Sequence, residues 1–322
     1  MKQYKGIKTS YTWIDKVVKS MQKRLGISEM IIVLSFLLPI CFLSPASAEN
    51  PMKVAVSILP QKYFVQKIGG DLVDISVMVL PGASPATYEP KPRQMVKLTE
   101  SKIYFAIGVS FEEVWLKKFA GANPEMRIIA TQNGIEKIPM KRHLHDDKGR
   151  YPDKAVARAG GKDPHIWLSP PLVMLQARNI LNALVRVDPT NREIYASNYK
   201  TFITELVDLD LKISDLFPDT GQATRFMVYH PAWGYFAKTY DLIQIPVEME
   251  GKNPTPKALQ QLIPNAKKNG IRVVFVQPQF STKSARTIAK AIGGHVVFAD
   301  PLAFDWAKNL LHVARQFKGV LR

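Results

Sequence analysis

Three polar residues stand at junctions where a chain of this kind could present chemistry. His165 lies in Asp163-Pro164-His165-Ile166-Trp167-Leu168-Ser169-Pro170, His230 follows the apolar run 226–229, and Asp300 follows the run 295–299 and precedes Pro301. Neutral imidazoles donate lone pairs and a carboxylate supplies compensating charge. Two of the former with one of the latter suit a borderline divalent ion such as zinc, or manganese and iron. On residue type and spacing alone, the same positions also fit a helix-capping aspartate and two structural histidines. Of the remaining histidines, His143 and His145 fall in a polar stretch, whereas His295 and His312 fall in regular elements and read as non-ligands. The single cysteine, Cys41, sits in an apolar leader, so no thiolate is offered beyond it.

The elements that must position these residues form two alternating β/α series. In the first, strands are expected at 53–59, 73–80, 103–107 and 127–130, with helices at 61–68, 92–100 and 111–119 between them. A polar segment, 141–162, then interrupts the pattern; loops of this length usually carry function or are disordered. A helix is expected over 171–187. After Asp188-Pro189-Thr190, Tyr195, Tyr199, Phe202, Leu206, Leu209 and Ile213 recur at spacings of three and four, predicting a long helix from 191 to 216. The second series places strands at 226–229, 242–247, 271–276 and 295–299, and helices at 232–240, 256–269, 282–292 and 304–320. Strands alternating with helices imply parallel sheets. Ligands of such sheets bind beyond the carboxyl ends of the strands. The expected fold is therefore α/β: two lobes with parallel sheets joined by a long rigid helix, with a cleft between them. The domain boundaries read as a leader 1–48, a first lobe 49–187 that includes the polar loop 141–162, a linking helix 188–218, and a second lobe 219–322.

The leader has a basic start (Lys2, Lys5, Lys8, Lys16, Lys19, Lys23, Arg24), an apolar run from Met30 to Leu43, and the small-x-small site Ala46-Ser47-Ala48. That order is the one a secretory signal peptide shows, so export to the periplasm or another extracytoplasmic space is expected. The chain of 322 residues carries a net charge of +17. With 7 of the 44 basic and 2 of the 27 acidic residues in the leader, +12 remains beyond it. The cations are scattered and do not interleave with aromatic residues, so no nucleic-acid partner is expected.

The segment 163–170 resembles the metal-ligand signature of the zinc- and manganese-binding proteins of ABC importers, the zinc-uptake or cluster A-I solute-binding family. Four other stretches match that family in order. Pro81-Gly82-Ala83-Ser84-Pro85-Ala86-Thr87-Tyr88-Glu89-Pro90 resembles its first ligand loop, and Tyr229-His230-Pro231-Ala232-Trp233-Gly234-Tyr235-Phe236 its third. Gln277-Pro278-Gln279-Phe280-Ser281 resembles a strand end of its second lobe, and Ala299-Asp300-Pro301-Leu302 its last ligand turn. The resemblance implies a non-enzymatic, monomeric binding protein that captures a divalent metal ion, zinc (Zn2+) with manganese (Mn2+) as the alternative, and passes it to an ABC permease in the inner membrane. Carried over, His165, His230 and Asp300 are metal ligands. The family's first histidine is replaced by Ala86, which cannot ligate. Three readings of the gap follow: a bidentate Asp300 or a water completes the site, His143 or His145 from the polar loop does, or metal binding has been lost; the match at the other three positions favours the first two. Glu248 and Glu250 read as surface charges in the first instance and as cleft carboxylates in the alternative, Gln277 as without a ligand role, and Trp167, Trp233 and Tyr235 as cleft walls. Two further classes fit the residues. One is a zinc metallohydrolase on the same three ligands, which lacks an H-E-x-x-H base. The other is an adhesin or binder of a chelated metal.

Overall fold

The computed structural model describes Lys16 and residues 50–140, 161–218, 224–248, 254–280 and 282–320. Residues 51–322 form a compact unit. Its first half runs β1 (Met52–Val56), α1 (Leu59–Gly69), β2 (Val73–Val77), α2 (Pro92–Thr99), β3 (Ile103–Ala106), α3 (Ser110–Ala122) and β4 (Arg127–Ala130). Two helices follow, α4 (Pro170–Val187) and the 23-residue α5 (Arg192–Ser214). The second half runs β5 (Thr224–Val228), α6 (Gly234–Thr239), β6 (Leu242–Pro246), α7 (Pro256–Lys268), β7 (Val273–Val276), α8 (Thr282–Ala291), β8 (His295–Phe298) and α9 (Trp306–Val320).

Each half builds one four-stranded, wholly parallel sheet, and the two orders are equivalent: β2-β1-β3-β4 and β6-β5-β7-β8. The fold is thus two α/β lobes joined by a long helix. β3 and β7 read as unbroken apolar runs, Ile-Tyr-Phe-Ala and Val-Val-Phe-Val, because helices cover both faces of a parallel sheet and every residue of these strands is buried. Strand order reverses between β1 and β3 and again between β5 and β7, and crevices open at such points beyond the carboxyl ends of strands.

At 1.5 Å per residue α5 is about 35 Å long. It buries Tyr195, Phe202, Leu206, Leu209 and Ile213 and packs along α4, against α1 of the first lobe and against α9 of the second. A helix held at both ends by different lobes acts as a strut. The lobes also share a core. Trp306 of α9 meets Phe64 of α1 edge to face, with ring centroids 5.0 Å apart. The Trp306 indole N–H donates to the Trp167 carbonyl (2.8 Å), and the Trp167 indole N–H donates to the Pro301 carbonyl (2.7 Å). A buried indole N–H without a partner is costly, so this crossed pair fixes the two chain segments against each other.

The long loop of the first half, with His143 and His145, lies outside the described residues except for its edge, where Pro139 and Lys162 form an antiparallel bridge. Among the described residues no helix is long and apolar enough to cross a membrane.

Candidate metal centre

The two histidines singled out from the sequence come together. His165, buried on the segment after β4 and the loop, and His230, half-buried immediately beyond β5, have ring centroids 5.3 Å apart with planes at 73°. Both are held by carboxylates at the same ring atom. Asp163 Oδ1 lies 2.7 Å from His165 Nδ1 and also accepts the His165 backbone N–H at 2.9 Å. Glu248 Oε1 lies 3.0 Å from His230 Nδ1. A carboxylate can only accept, so each Nδ1 carries the proton and each Nε2 keeps its lone pair. This carboxylate–histidine arrangement orients and strengthens imidazole ligands of zinc, whose Zn–N bonds run about 2.0–2.1 Å.

The backbone of His230 is fixed as well. The Gln277 amide, buried at the end of β7, accepts from the His230 N–H (3.3 Å) and donates to its carbonyl (2.7 Å). Phe280 stacks on the imidazole at 4.9 Å and 22°. His230 therefore occupies the crevice between β5 and β7 with ring, tautomer and main chain all determined. Its carboxylate partner arrives because the β5–β6 ladder continues past the named strands, with Val247 N bonded to the Val228 carbonyl and Glu248 N to the Tyr229 carbonyl. Of the two readings the sequence allowed for Glu248, the structure shows the cleft carboxylate and not the surface charge: it is 4% exposed. Its place beyond a strand's carboxyl end was the available clue. Glu250 lies outside the described residues.

Asp300 does not join the pair. Its Oδ1 accepts from the Leu302 N–H (2.9 Å) and the Gln279 amide (3.1 Å), fixing the turn after β8. Among the described residues no three His, Cys, Asp or Glu side chains converge as a metal-binding group. Ala86 is exposed on the loop after β2, with its N–H donating to Ser84 Oγ. Trp233 does not line a wall; it packs into the second-lobe core against Phe236 and Phe317. Tyr235 instead bridges the lobes, accepting from the Ile138 N–H (3.1 Å) and donating to the Asp163 carbonyl (2.9 Å). Gly234 is required beside it, since a Cβ there would sit 2.6 Å from Asp163 Oδ2. His295 and His312 are exposed and remote from any such arrangement of carboxylates.

The equivalent crevice of the first lobe is closed by a buried carboxylate. Glu112 accepts from the Ile107 N–H (2.9 Å), the Gly108 N–H (2.7 Å) and the Ser57 hydroxyl, which tie the ends of β1 and β3 together. Burial raises its pKa above the ordinary carboxylate value, against the lowering effect of these donors.

Burial lowers the His165 pKa below the ordinary 6.5, with Asp163 opposing. The unfolded chain takes up a proton here at about pH 6.5 while the folded protein does so only at lower pH. Between those values the unfolded state binds more protons, so the metal-free protein loses stability as pH falls below about 6.5, and the loss levels off below the folded pKa. Thermal unfolding followed across this range is expected to show the decline in the wild type and a shallower one in His165→Gln. Identical slopes would refute the assignment.

A two-lobed α/β fold, with paired imidazoles oriented by carboxylates at strand ends, defines a metal-binding protein of the two-lobed solute-receptor class. The model of the zinc-uptake complex component A periplasmic family matches residues 54–318, and the chain belongs to that family. It is 27% identical over 275 residues to the high-affinity zinc uptake system protein ZnuA of Bacillus subtilis (strain 168), covering 80% of this chain and 84% of that protein. It is 26% identical to the iron-binding protein YfeA of Yersinia pestis, covering 81% of each. A crystal structure of ZnuA superposes with a TM-score of 0.76 at 43% identity, over 84% of this chain and 99% of that one.

Proposed function

We propose that this protein is exported by residues 1–48 as a signal peptide, captures zinc in the periplasm through His165 and His230, and delivers it to an ABC permease in the inner membrane. It acts as a monomer without nucleic acid. The observation that carries the reading is the pair of imidazoles 5.3 Å apart, each with its Nδ1 committed to a carboxylate. Imidazole donors favour zinc over manganese, which prefers oxygen. Asp300 supplies the third donor through Oδ2 when the ion is bound, and a water takes the place left by Ala86. His143 and His145 remain candidates to feed the site. The second lobe, 219–322, and the first, 49–187, are held by the 188–218 strut, so metal capture moves them little. A hydrolytic role is disfavoured by the same geometry, because Asp163 and Glu248 are both held on imidazoles and neither is available as a base. The zinc-binding names of relatives such as the B. subtilis protein support zinc as the cargo.

Calorimetric zinc titration of the exported protein tests the reading. One ion per chain is expected. Asp163→Asn and Glu248→Gln are each expected to weaken binding by about 10–100-fold while stoichiometry is kept. A wild type that takes up no zinc, or variants that bind as the wild type does, would refute it.

A further inference from the structure

The proposed metal site draws His230 from beyond a second-lobe strand and His165 from the first-lobe segment, and leaves the strongly basic character of the second lobe unexplained. From residue 254 to 299 the sequence contains no Asp or Glu, yet it carries Lys257, Lys267, Lys268, Arg272, Lys283, Arg286 and Lys290. On α8, Lys283, Arg286 and Lys290 fall at spacings of three and seven, and so on one exposed face, while Ala285, Ile288 and Ala289 are buried on the other. This cationic face runs into an open groove of about 380 Å³ between the last turns of α7 and α8, lined by Lys267, Arg272 and Lys290 with Gly270 and Gly293. Those three side chains are exposed and make no ion pair or side-chain hydrogen bond among the described residues. Lys267 and Lys290 also complement the carbonyl ends of their helices, but Arg272 precedes β7 and stands at no helix end. A Cβ at Gly270 or Gly293 would meet nothing, so the groove is unobstructed.

We propose that this groove and the α8 face form a docking surface for the phosphate-bearing headgroups of an anionic phospholipid membrane. Opposite charge is the first argument: clustered Lys and Arg at a surface attract anionic lipid by about fivefold in affinity for each cation. The lining is the second. No aromatic side chain borders the groove among the described residues, so it lacks the stacking platform that single-stranded nucleic acid uses. Position is the third. Arg272 and Gly293 precede β7 and β8, whereas Gln277 and Asp300 follow them, so the groove lies at the opposite end of the sheet from the metal centre.

Co-sedimentation of the exported protein with vesicles tests the proposal. Vesicles of phosphatidylcholine mixed with phosphatidylglycerol are expected to retain the protein, with retention weakening as salt is raised; phosphatidylcholine alone is expected not to. Lys267→Gln/Arg272→Gln/Lys290→Gln should lower vesicle affinity on the order of a hundredfold. Lys283→Gln/Arg286→Gln should lower it independently, and Lys267→Arg/Lys290→Arg should retain it. Zinc affinity should be the same in all of these, which separates this surface from the proposed cargo site. Equal retention on uncharged vesicles, or full retention of both neutralised variants, would overturn the proposal. So would displacement by inorganic phosphate at matched ionic strength, which marks a small-anion site, or equally tight binding of duplex DNA, which marks a general polyanion surface.

Discussion

Replacing His230 with alanine is expected to lower zinc affinity on the order of a thousandfold. Structural zinc sites with four donors contribute about 10–16 kcal/mol, so one donor corresponds to roughly 3–4 kcal/mol. Among the described residues no other histidine stands beside His165 to replace it, and its own position is fixed: its main chain is clamped by Gln277 and its ring is held by Glu248 and Phe280. The mechanism makes a second, sharper statement. Glu248 acts through His230, so once the imidazole is gone, Glu248→Gln should cost little further affinity. Competition titrations on the wild type, the two single variants and the double variant measure this directly. Losses that simply add would show that Glu248 acts by another route, and an unchanged affinity in His230→Ala would remove the histidine from the site.

Phe317→Ala is expected to cost about 3–5 kcal/mol of stability, a large part of the roughly 5–15 kcal/mol available to a domain. The ring is fully buried and sits among Phe226 (4.3 Å, stacked), Phe275 (4.5 Å), Trp233 (5.3 Å) and Phe236 (5.5 Å). Rigid aromatic neighbours on three different elements cannot collapse into the vacated space, which puts the cost at the upper end of large-to-small substitutions. Phe226 and Phe275 belong to β5 and β7, the strands that His230 and Gln277 follow, so the cavity opens against the strands that carry the candidate site. Zinc binds only the folded state, and at a hundredfold excess over its Kd should restore about 2.7 kcal/mol. Denaturant unfolding with and without zinc gives both numbers; a loss below about 1 kcal/mol would show that the core repacks freely.

Strands and helices were legible in the sequence because parallel sheets write them plainly. Runs such as Val273–Val276 are apolar throughout, and the stripe from Tyr195 to Ile213 has no reading but a helix. Boundaries moved by up to three residues where apolar residues continue past the ladder, as at 78–80 after β2 and at Ile271 before β7. His165 and His230 were legible because histidine is rare and both stand beside proline at element ends. Gln277 was not, and Glu248 was legible only as one of two readings. A lone polar residue after a strand looks the same whether it faces water or a neighbouring loop, and what distinguishes them is the pairing of β5 with β6 and β7, which sequence spacing does not report. Asp300 shows the converse: its position was legible, but the same carboxylate can cap its own turn, and in this structure that local use takes Oδ1.

The crossed tryptophans carry a consequence for how the chain folds. Trp167 and Pro301 are 134 residues apart in sequence, and Trp306 and Trp167 are 139 apart. The aromatic contact of Trp306 with Phe64 reaches farther still. Neither lobe can complete its own interior until the far end of the chain has arrived. Contacts of such long range slow folding, since loop closure must precede any return from them. By topology the molecule is a pair, but by packing it is a single cooperative unit. It should melt in one transition, and the first half synthesised alone should remain a substrate for chaperones until α9 emerges to finish it.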